Sequence, residues 1–392
     1  DLAINPNQPS MGAYFTTPSA VNDAVMTMYG YMSTQRCLGA SGSKTTIIRS
    51  DEASSNSDYG KPGMFGADLN ASYYTIEQPY TLMYTTASQA SYIIETAPSV
   101  DFSGNEELRN AYMGEAYFWR AFAHYYLLIN FRNISPIRQM PRNGDDYVRP
   151  LEKPAAVWDF IQEDLAHAKE LLPVKGYWDS KNDGRVTKAS AAALLGKAYL
   201  YRSGIEQYYG EDKTTFYSEA AKEFGDVIDG KYGTYDLTKN YADNFDVAHE
   251  NNEESILEFQ FLGDVDNAGF NPGLATSGLA FDSRGLMLPG AGVGYEGVVH
   301  NWLYNAFVNS VDKDGYTDIR MFSTMIFNDL DASIHLRNDA GGNPVRLEGP
   351  GGYKWEELYP AKNGKEGFAT VSNPLAHSFK AGIRKGIDCS MP

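Results

Sequence analysis

Gly292, Gly294 and Gly297 spell G-x-G-x-x-G, the spacing with which a glycine-rich turn lets a pyrophosphate approach the main chain ahead of a helix. That chemistry needs a βαβ unit around the turn, whereas helical periodicity dominates upstream. A loop entering a helix at Val298, with Tyr295 presented to solvent, is the plainer reading. Asp312, Asp314 and Asp318 are spaced like calcium-loop ligands, but Gly315 is the fourth residue rather than the sixth, and Ser323 stands where a bidentate Glu belongs. A solvated turn is expected there. Ser41-Gly-Ser-Lys44-Thr lacks the glycine that precedes the lysine of a phosphate loop, and no G-x-S-x-G occurs. The histidines, His124, His167, His249, His300, His335 and His377, include no pair at metal-ligand spacing, so no metal and no cofactor is expected. Catalytic carboxylate pairs depend on separation in space, which 50 acidic residues along a chain do not reveal.

Aromatic rings offer a different chemistry. They make up 13% of the residues, and many tyrosines stand in polar, Gly- or Ser-rich stretches rather than in core-forming patterns. Tyr59, Phe65, Tyr73 and Tyr74 in one such stretch and Tyr295 in another present flat apolar faces suited to the C–H faces of sugars. Arg49, Asp51, Asn56 and Asp58 beside them carry groups that hydrogen-bond hydroxyls. The alternative is that these rings pin loops onto the body of the protein.

Charge narrows the ligand class. The 392 residues carry a formal charge of -17, which repels nucleic acid and an anionic bilayer surface. A neutral ligand or a protein partner fits better. Cys37 and Cys389 are too few and too far apart for a disulfide framework. No apolar run is long enough to span a bilayer, and the opening DLAINPNQPS is not a signal sequence, so any leader is expected to have been removed.

The elements that must position the rings read as helices. The most informative is GRVTKASAAALLGKAYLYR, Gly184 to Arg202: after a Thr187 cap, the clearly polar residues are Lys188, Ser190, Lys197 and Arg202, so the helix must be buried on nearly every side. Gly196 in its middle costs roughly 1 kcal/mol relative to Ala, which implies close approach of a neighbouring helix backbone at Ala192 and Gly196. Before it, Ser19 to Met32 and Tyr73 to Ala97 have helical spacing, separated by a long loop region from Ser33 to Ser72. A capping box of Ser103 and Glu106 opens the longest helix, EELRNAYMGEAYFWRAFAHYYLLINF. Pro154 opens another, with Trp158, Ile161, Leu165, Ala168 and Leu172 inward and Pro173 at its end. FYSEAAKEFGDVIDG completes the series with Ala220, Ala221, Phe224, Val227 and Ile228 inward.

Leu195, Gly196 and Tyr199, then Tyr217, Ala220 and Phe224, match the two helices of a tetratricopeptide repeat if Gly204 to Thr215 is an insertion. The expected fold is mainly α: tetratricopeptide-like helical hairpins forming a superhelical scaffold, with long irregular loops. Residues 1–230 would be the helical region and 231–392 a loop-rich region, with SILEFQFL as a strand and VVHNWLYNAF as a helix.

Five blocks in order carry a resemblance. They are NEELRNAYMGEAYFWRAFAHYYLLINF, VWDFIQEDLAHAKELLP, GRVTKASAAALLGKAYLYR, AAKEFGDVIDGKYGTYDL and NNEESILEFQF; the first holds Gly114, Glu115, Ala116, Phe118, Arg120, Ala121 and Tyr125 near the positions of A-E-A-x-F-x-R-A-x-x-Y-x-x-L. The chain resembles the SusD/RagB family, surface-exposed nutrient-binding lipoproteins of Bacteroidetes. The resemblance implies a helical scaffold whose loops bind a glycan or peptide without catalysis, at the outer membrane, where the protein sits as a lid over a SusC-like TonB-dependent barrel that takes up the ligand. It implies membrane attachment only through an N-terminal lipid anchor absent from this chain, and further helices beyond the closing RKGIDCSMP. The family's sugar-stacking rings vary, so no binding residue follows from the resemblance. Two other classes stay open: an α-helical glycoside hydrolase or lyase, and a plain tetratricopeptide scaffold holding a peptide in its groove.

Overall fold

The computed structural model describes residues 15–34, 36–39, 50–54, 71–142, 148–210, 212–245, 247–260, 298–328, 331–344 and 381–383. The chain forms two compact units, one of Asp1–Ser33, Tyr80–Leu237 and Glu253–Val265, the other of Thr34–Pro79, Thr238–Asn252 and Asp266–Pro392. The chain passes between them at Pro79, inside a helix. The architecture is mainly α and tetratricopeptide-like.

The first unit is built from helices α1 (Pro18–Met32), α2 (Tyr74–Thr96, from Tyr80 onward), α3 (Glu106–Phe131), α4 (Pro154–Leu171), α5 (Lys188–Tyr209) and α6 (Tyr217–Ile228). Successive members of the series α3 to α6 pack on one another, and α1 packs on α3. The expected faces of α4 hold: Trp158, Ile161, Leu165, Ala168 and Leu172 are all buried. The first half of α5 is buried on nearly every side, through Ala189, Ser190, Ala191, Ala192, Leu195, Gly196 and Ala198. Its Gly196 makes room not for a backbone but for a ring, since a Cβ there would lie 2.8 Å from Phe224 Cε1 on α6.

Several boundaries differ from the sequence reading for local reasons. The cap of α3 is Asn105, whose side chain accepts the Leu108 N–H at 3.1 Å; Ser103 sits two residues earlier at a positive φ of 53°. The cap of α1 is Thr17, with Pro18 pre-set at the first helical position. α5 runs on through Ser203 to Tyr209 and stops at Gly210 in the left-handed region (φ 71°). The extension is anchored by Glu206, fully buried, whose carboxylate accepts two bonds from Arg132 and one from Trp158 Nε1. On α6, Ala221 and Ile228 face solvent, Ile228 at 77%, because Ala220, Glu223 and Val227 form the buried row. Residues 255–260 of SILEFQFL are not a strand. They lie against the helices instead: the Ile256 carbonyl accepts from Ser190 Oγ, and Phe259 packs near the rings of Trp119 and Tyr29.

Buried ion pairs tie these helices together. Arg120 donates twice to Asp164 at 2.7 Å, and also to Ser91 Oγ and the Arg138 carbonyl. His124, one turn along α3, bonds the Arg120 carbonyl through Nδ1 and accepts the Ile137 N–H at Nε2. Arg185 holds Glu115, and Lys169 holds Glu223. Glu115 and Arg120, two of the residues that carry the family resemblance, are therefore parts of the scaffold.

The second unit has a small antiparallel sheet of β1 (Ala53–Ser54), β2 (Val298–Val299), β3 (Met325–Phe327) and β4 (Ala381–Ile383) in the order β1-β2-β4-β3. Helices α7 (Asn301–Asn309) and α8 (Arg320–Thr324) follow β2 and precede β3. Its core is Val299, Tyr304, Met321, Met325, Phe327 and Ile334, with Leu303, Phe307 and Phe322 packed against it.

Candidate functional site

The candidate ring residues were placed on loops, and β1 and β2 decide where two of those loops leave the fold. Ala53 lies opposite Val299 and Ser54 opposite Val298. In an antiparallel pair, the chain leaving one strand runs beside the chain entering its partner, so the exits after Ser54 and before Val298 fall at the same end. The segment carrying Asp58, Tyr59 and Phe65 starts from the first exit, and the segment carrying Tyr295 ends at the second. Tyr59, Phe65, Tyr295, Arg49, Asn56 and Asp58 themselves lie outside the described residues.

Asp51 lies at the opposite end of the pair and is exposed. Its carbonyl accepts the indole N–H of Trp302, and the Glu52 carbonyl accepts the His300 N–H at 2.9 Å. Residues 51–54 are thereby joined to residues 298–302 along their whole length. Tyr73 is half-buried in the turn ahead of α2, where its carbonyl accepts the N–H groups of Ile76 and Glu77, and Tyr74 is the first residue of that helix. Among the described candidates, the sheet fixes Asp51, whereas Tyr73 and Tyr74 belong to a helix start.

Trp302 is the candidate that the sequence reading misses. The run VVHNWLYNAF is read there as one helix, but Val298 and Val299 are strand, and the helix begins at Asn301. Leu303, Tyr304, Phe307 and Val308 then turn inward, leaving Trp302 and Asn305 on the outer face. That spacing was a usable signal: Leu303, Phe307 and Tyr304, Val308 recur at i, i+4, with Trp302 outside the stripe. Trp302 remains 48% exposed with its ring held by the bond to Asp51.

The other motifs resolve locally. Val298 following G-x-G-x-x-G starts an antiparallel strand rather than a helix, the wrong context for a dinucleotide site; the glycines themselves lie outside the described residues, as does Ser41 to Thr45. The Asp312 carboxylate turns back on its own loop, accepting the N–H groups of Tyr316 and Asp314, and these bonds together with Arg337 hold its pKa below the usual carboxylate range. Asp318 pairs with Arg320. Among the described residues, no group of three or more His, Cys, Asp or Glu side chains is placed to share a metal ion. What residues 51–54 and 298–305 offer is an exposed indole for stacking, with exposed carboxylates and an amide for hydrogen bonding.

The family model "Starch-binding associating with outer membrane" matches residues 6–200. A SusD-like protein of Bacteroides ovatus is 29% identical over 180 residues, covering 46% of this chain and 32% of its own length. The chain thus spans about a third of that curated relative. Among solved structures, a SusD superfamily protein from Bacteroides vulgatus ATCC 8482 superposes with a TM-score of 0.67 at 19% identity, over 95% of this chain and 68% of that one. A laminarin-binding SusD-like protein gives 0.65 at 20% identity, over 96% and 78%. At such identities these two establish the fold.

Proposed function

The chain belongs to the SusD/RagB family, and from that membership we propose that it binds an oligosaccharide at the cell surface, leaves it uncut, and delivers it to a SusC-like TonB-dependent transporter in the outer membrane. The match of residues 6–200 to a starch-binding, outer-membrane-associated family carries this reading. The chain-long likeness to a laminarin-binding protein supports a glycan ligand, as does the exposed indole of Trp302. Among the described residues no helix is long and apolar enough to cross a membrane, and a lipid anchor would supply attachment. A single acyl chain binds a bilayer only marginally, so contact with the barrel would fix the protein in place.

Isothermal titration of the purified chain against starch, laminarin, xyloglucan and pectin fragments and a peptide library tests the binding step. Saturable binding of a glycan, with no new reducing ends after prolonged incubation, is the expected result. Binding of peptides alone, or release of sugar products, would replace this reading with peptide capture or with a hydrolase. Co-purification with a TonB-dependent barrel tests delivery.

A further inference from the structure

We propose that Trp302, with Asn305 and the carboxylates of Asp51 and Glu52, forms the floor of a subsite selective for uncharged sugar rings; this rests on the oligosaccharide-binding reading above. A tryptophan normally buries most of its large apolar surface, yet Trp302 is 48% exposed on the outer face of α7 while Tyr304 beside it is buried. Its ring is nonetheless not free to turn. The indole N–H is bonded to the Asp51 carbonyl, and Asp51 is itself fixed by the strand pairing of Ala53 and Ser54. A flat apolar face that is exposed and already held loses little rotamer freedom on stacking, which is the condition under which an aromatic platform gains most from a pyranose C–H face.

The polar residues adjoining Trp302 in the chain and at its Asp51 contact bear on the charge it accepts. Asn305 lies one turn along α7 on the same exposed side, offering both an amide donor and an acceptor. Asp51 and Glu52 are exposed in the segment that leads into β1, and among the described residues no cation is paired with either. Carboxylates accept hydrogen bonds from hydroxyls and disfavour a uronate or sulfate nearby. The net charge of -17 acts in the same sense at longer range.

The experiment uses the full chain with laminarin, xyloglucan and starch oligosaccharides as neutral probes, alginate and pectin oligosaccharides as anionic ones, and titration calorimetry plus tryptophan fluorescence as readouts. The wild type should prefer a neutral probe. Trp302→Ala should weaken that probe's binding at least tenfold with an unchanged melting temperature. Trp302→Phe, which keeps a ring without the N–H, should fall between and should lose the ligand-induced fluorescence change. Asp51→Asn/Glu52→Gln should narrow the preference over alginate at least fivefold at low salt. Unchanged affinity in Trp302→Ala, or a wild type that prefers alginate or pectin, overturns the subsite while leaving oligosaccharide binding standing. Failure of every glycan probe overturns both.

Discussion

Arg185 holds Glu115 through two parallel bonds, Nε to Oε1 at 2.9 Å and Nη2 to Oε2 at 2.5 Å, across 70 residues of sequence. Tyr29 adds a third from α1, its hydroxyl donating to Oε1 at 2.7 Å while accepting the Val186 N–H at 2.9 Å. The guanidinium also lies against the rings of Trp178 and Tyr112, 4.2 and 5.1 Å from their centroids. One carboxylate therefore joins α1, α3 and the segment that leads into α5.

Removing one partner of such a buried pair strands the other. Glu115→Gln is expected to cost about 3–5 kcal/mol, because the Arg185 charge then has no counterion in a site where both side chains are almost wholly buried. Glu115→Leu/Arg185→Met should be less damaging than Glu115→Gln, since no charge is stranded. Urea unfolding of the single and double variants checks this. A Glu115→Gln protein within about 1 kcal/mol of wild type would show that the pair does not hold these elements together.

His124 makes stability depend on pH. Its Nε2 accepts the Ile137 N–H at 2.9 Å, so the neutral ring carries its proton on Nδ1 and donates it to the Arg120 carbonyl at 2.7 Å. Burial, reinforced by Arg120, Arg138 and Arg149, pushes the pKa from 6.5 to about 3. Between those values the unfolded chain binds a proton that the folded one refuses, so stability rises with pH through this window and is lost as pH falls below about 6.5. The full effect is roughly 4–5 kcal/mol. Urea midpoints measured from pH 4 to 7.5 should rise more steeply for wild type than for His124→Gln, which cannot titrate. Parallel pH profiles for the two proteins would refute this assignment.

How much of this was legible depends on the length scale of the signal. Helices α3 to α6 extend over 12 to 26 residues, long enough for a buried stripe to repeat, and their apolar periodicity located them. Their ends were harder, because Ser103 and Asn105 are both good capping residues and only the backbone decides which one accepts the Leu108 N–H. The strands of the second unit have two or three residues, too few for alternation to appear. SILEFQFL shows the converse: its apolar residues Ile256 and Phe259 meet helices, and residues 255–260 join no sheet. The exposure of Trp302 was readable from the stripe of α7, but its fixed orientation was not, because it depends on Asp51, which is 251 residues away in sequence.

Gly196 gives a direct test of α5–α6 packing. Alanine would favour the helix by roughly 1 kcal/mol, but its Cβ would stand 2.8 and 3.0 Å from Phe224 Cε1 and Cδ1. Overpacking of this kind costs about 1–3 kcal/mol, so Gly196→Ala should lower stability by up to about 2 kcal/mol. In a Phe224→Leu background the same substitution should become neutral or stabilising, a coupling of at least about 1 kcal/mol in a double-mutant cycle. Additive behaviour would mean that the ring is not what requires glycine.

Tyr59 and Tyr295 extend the register argument to the ligand. Their segments attach at the same end of the β1–β2 pair, at Ser54 and Val298, whereas Trp302 belongs to the other end. If both tyrosines contact one sugar, Tyr59→Ala and Tyr295→Ala should each weaken glycan binding several-fold without lowering the melting temperature, and their effects should be coupled. Each should be closer to additive with Trp302→Ala, since residues without shared partners couple weakly. Phe65→Ala and Tyr73→Ala complete the set. Tyr73 is half-buried beside a helix start, so its replacement is expected to reduce stability more than affinity. Titration of these variants with the tightest neutral glycan, beside thermal melts, checks each expectation. Unchanged affinity in Tyr59→Ala, Phe65→Ala and Tyr295→Ala together would leave the rings with the role of pinning loops and place the ligand elsewhere.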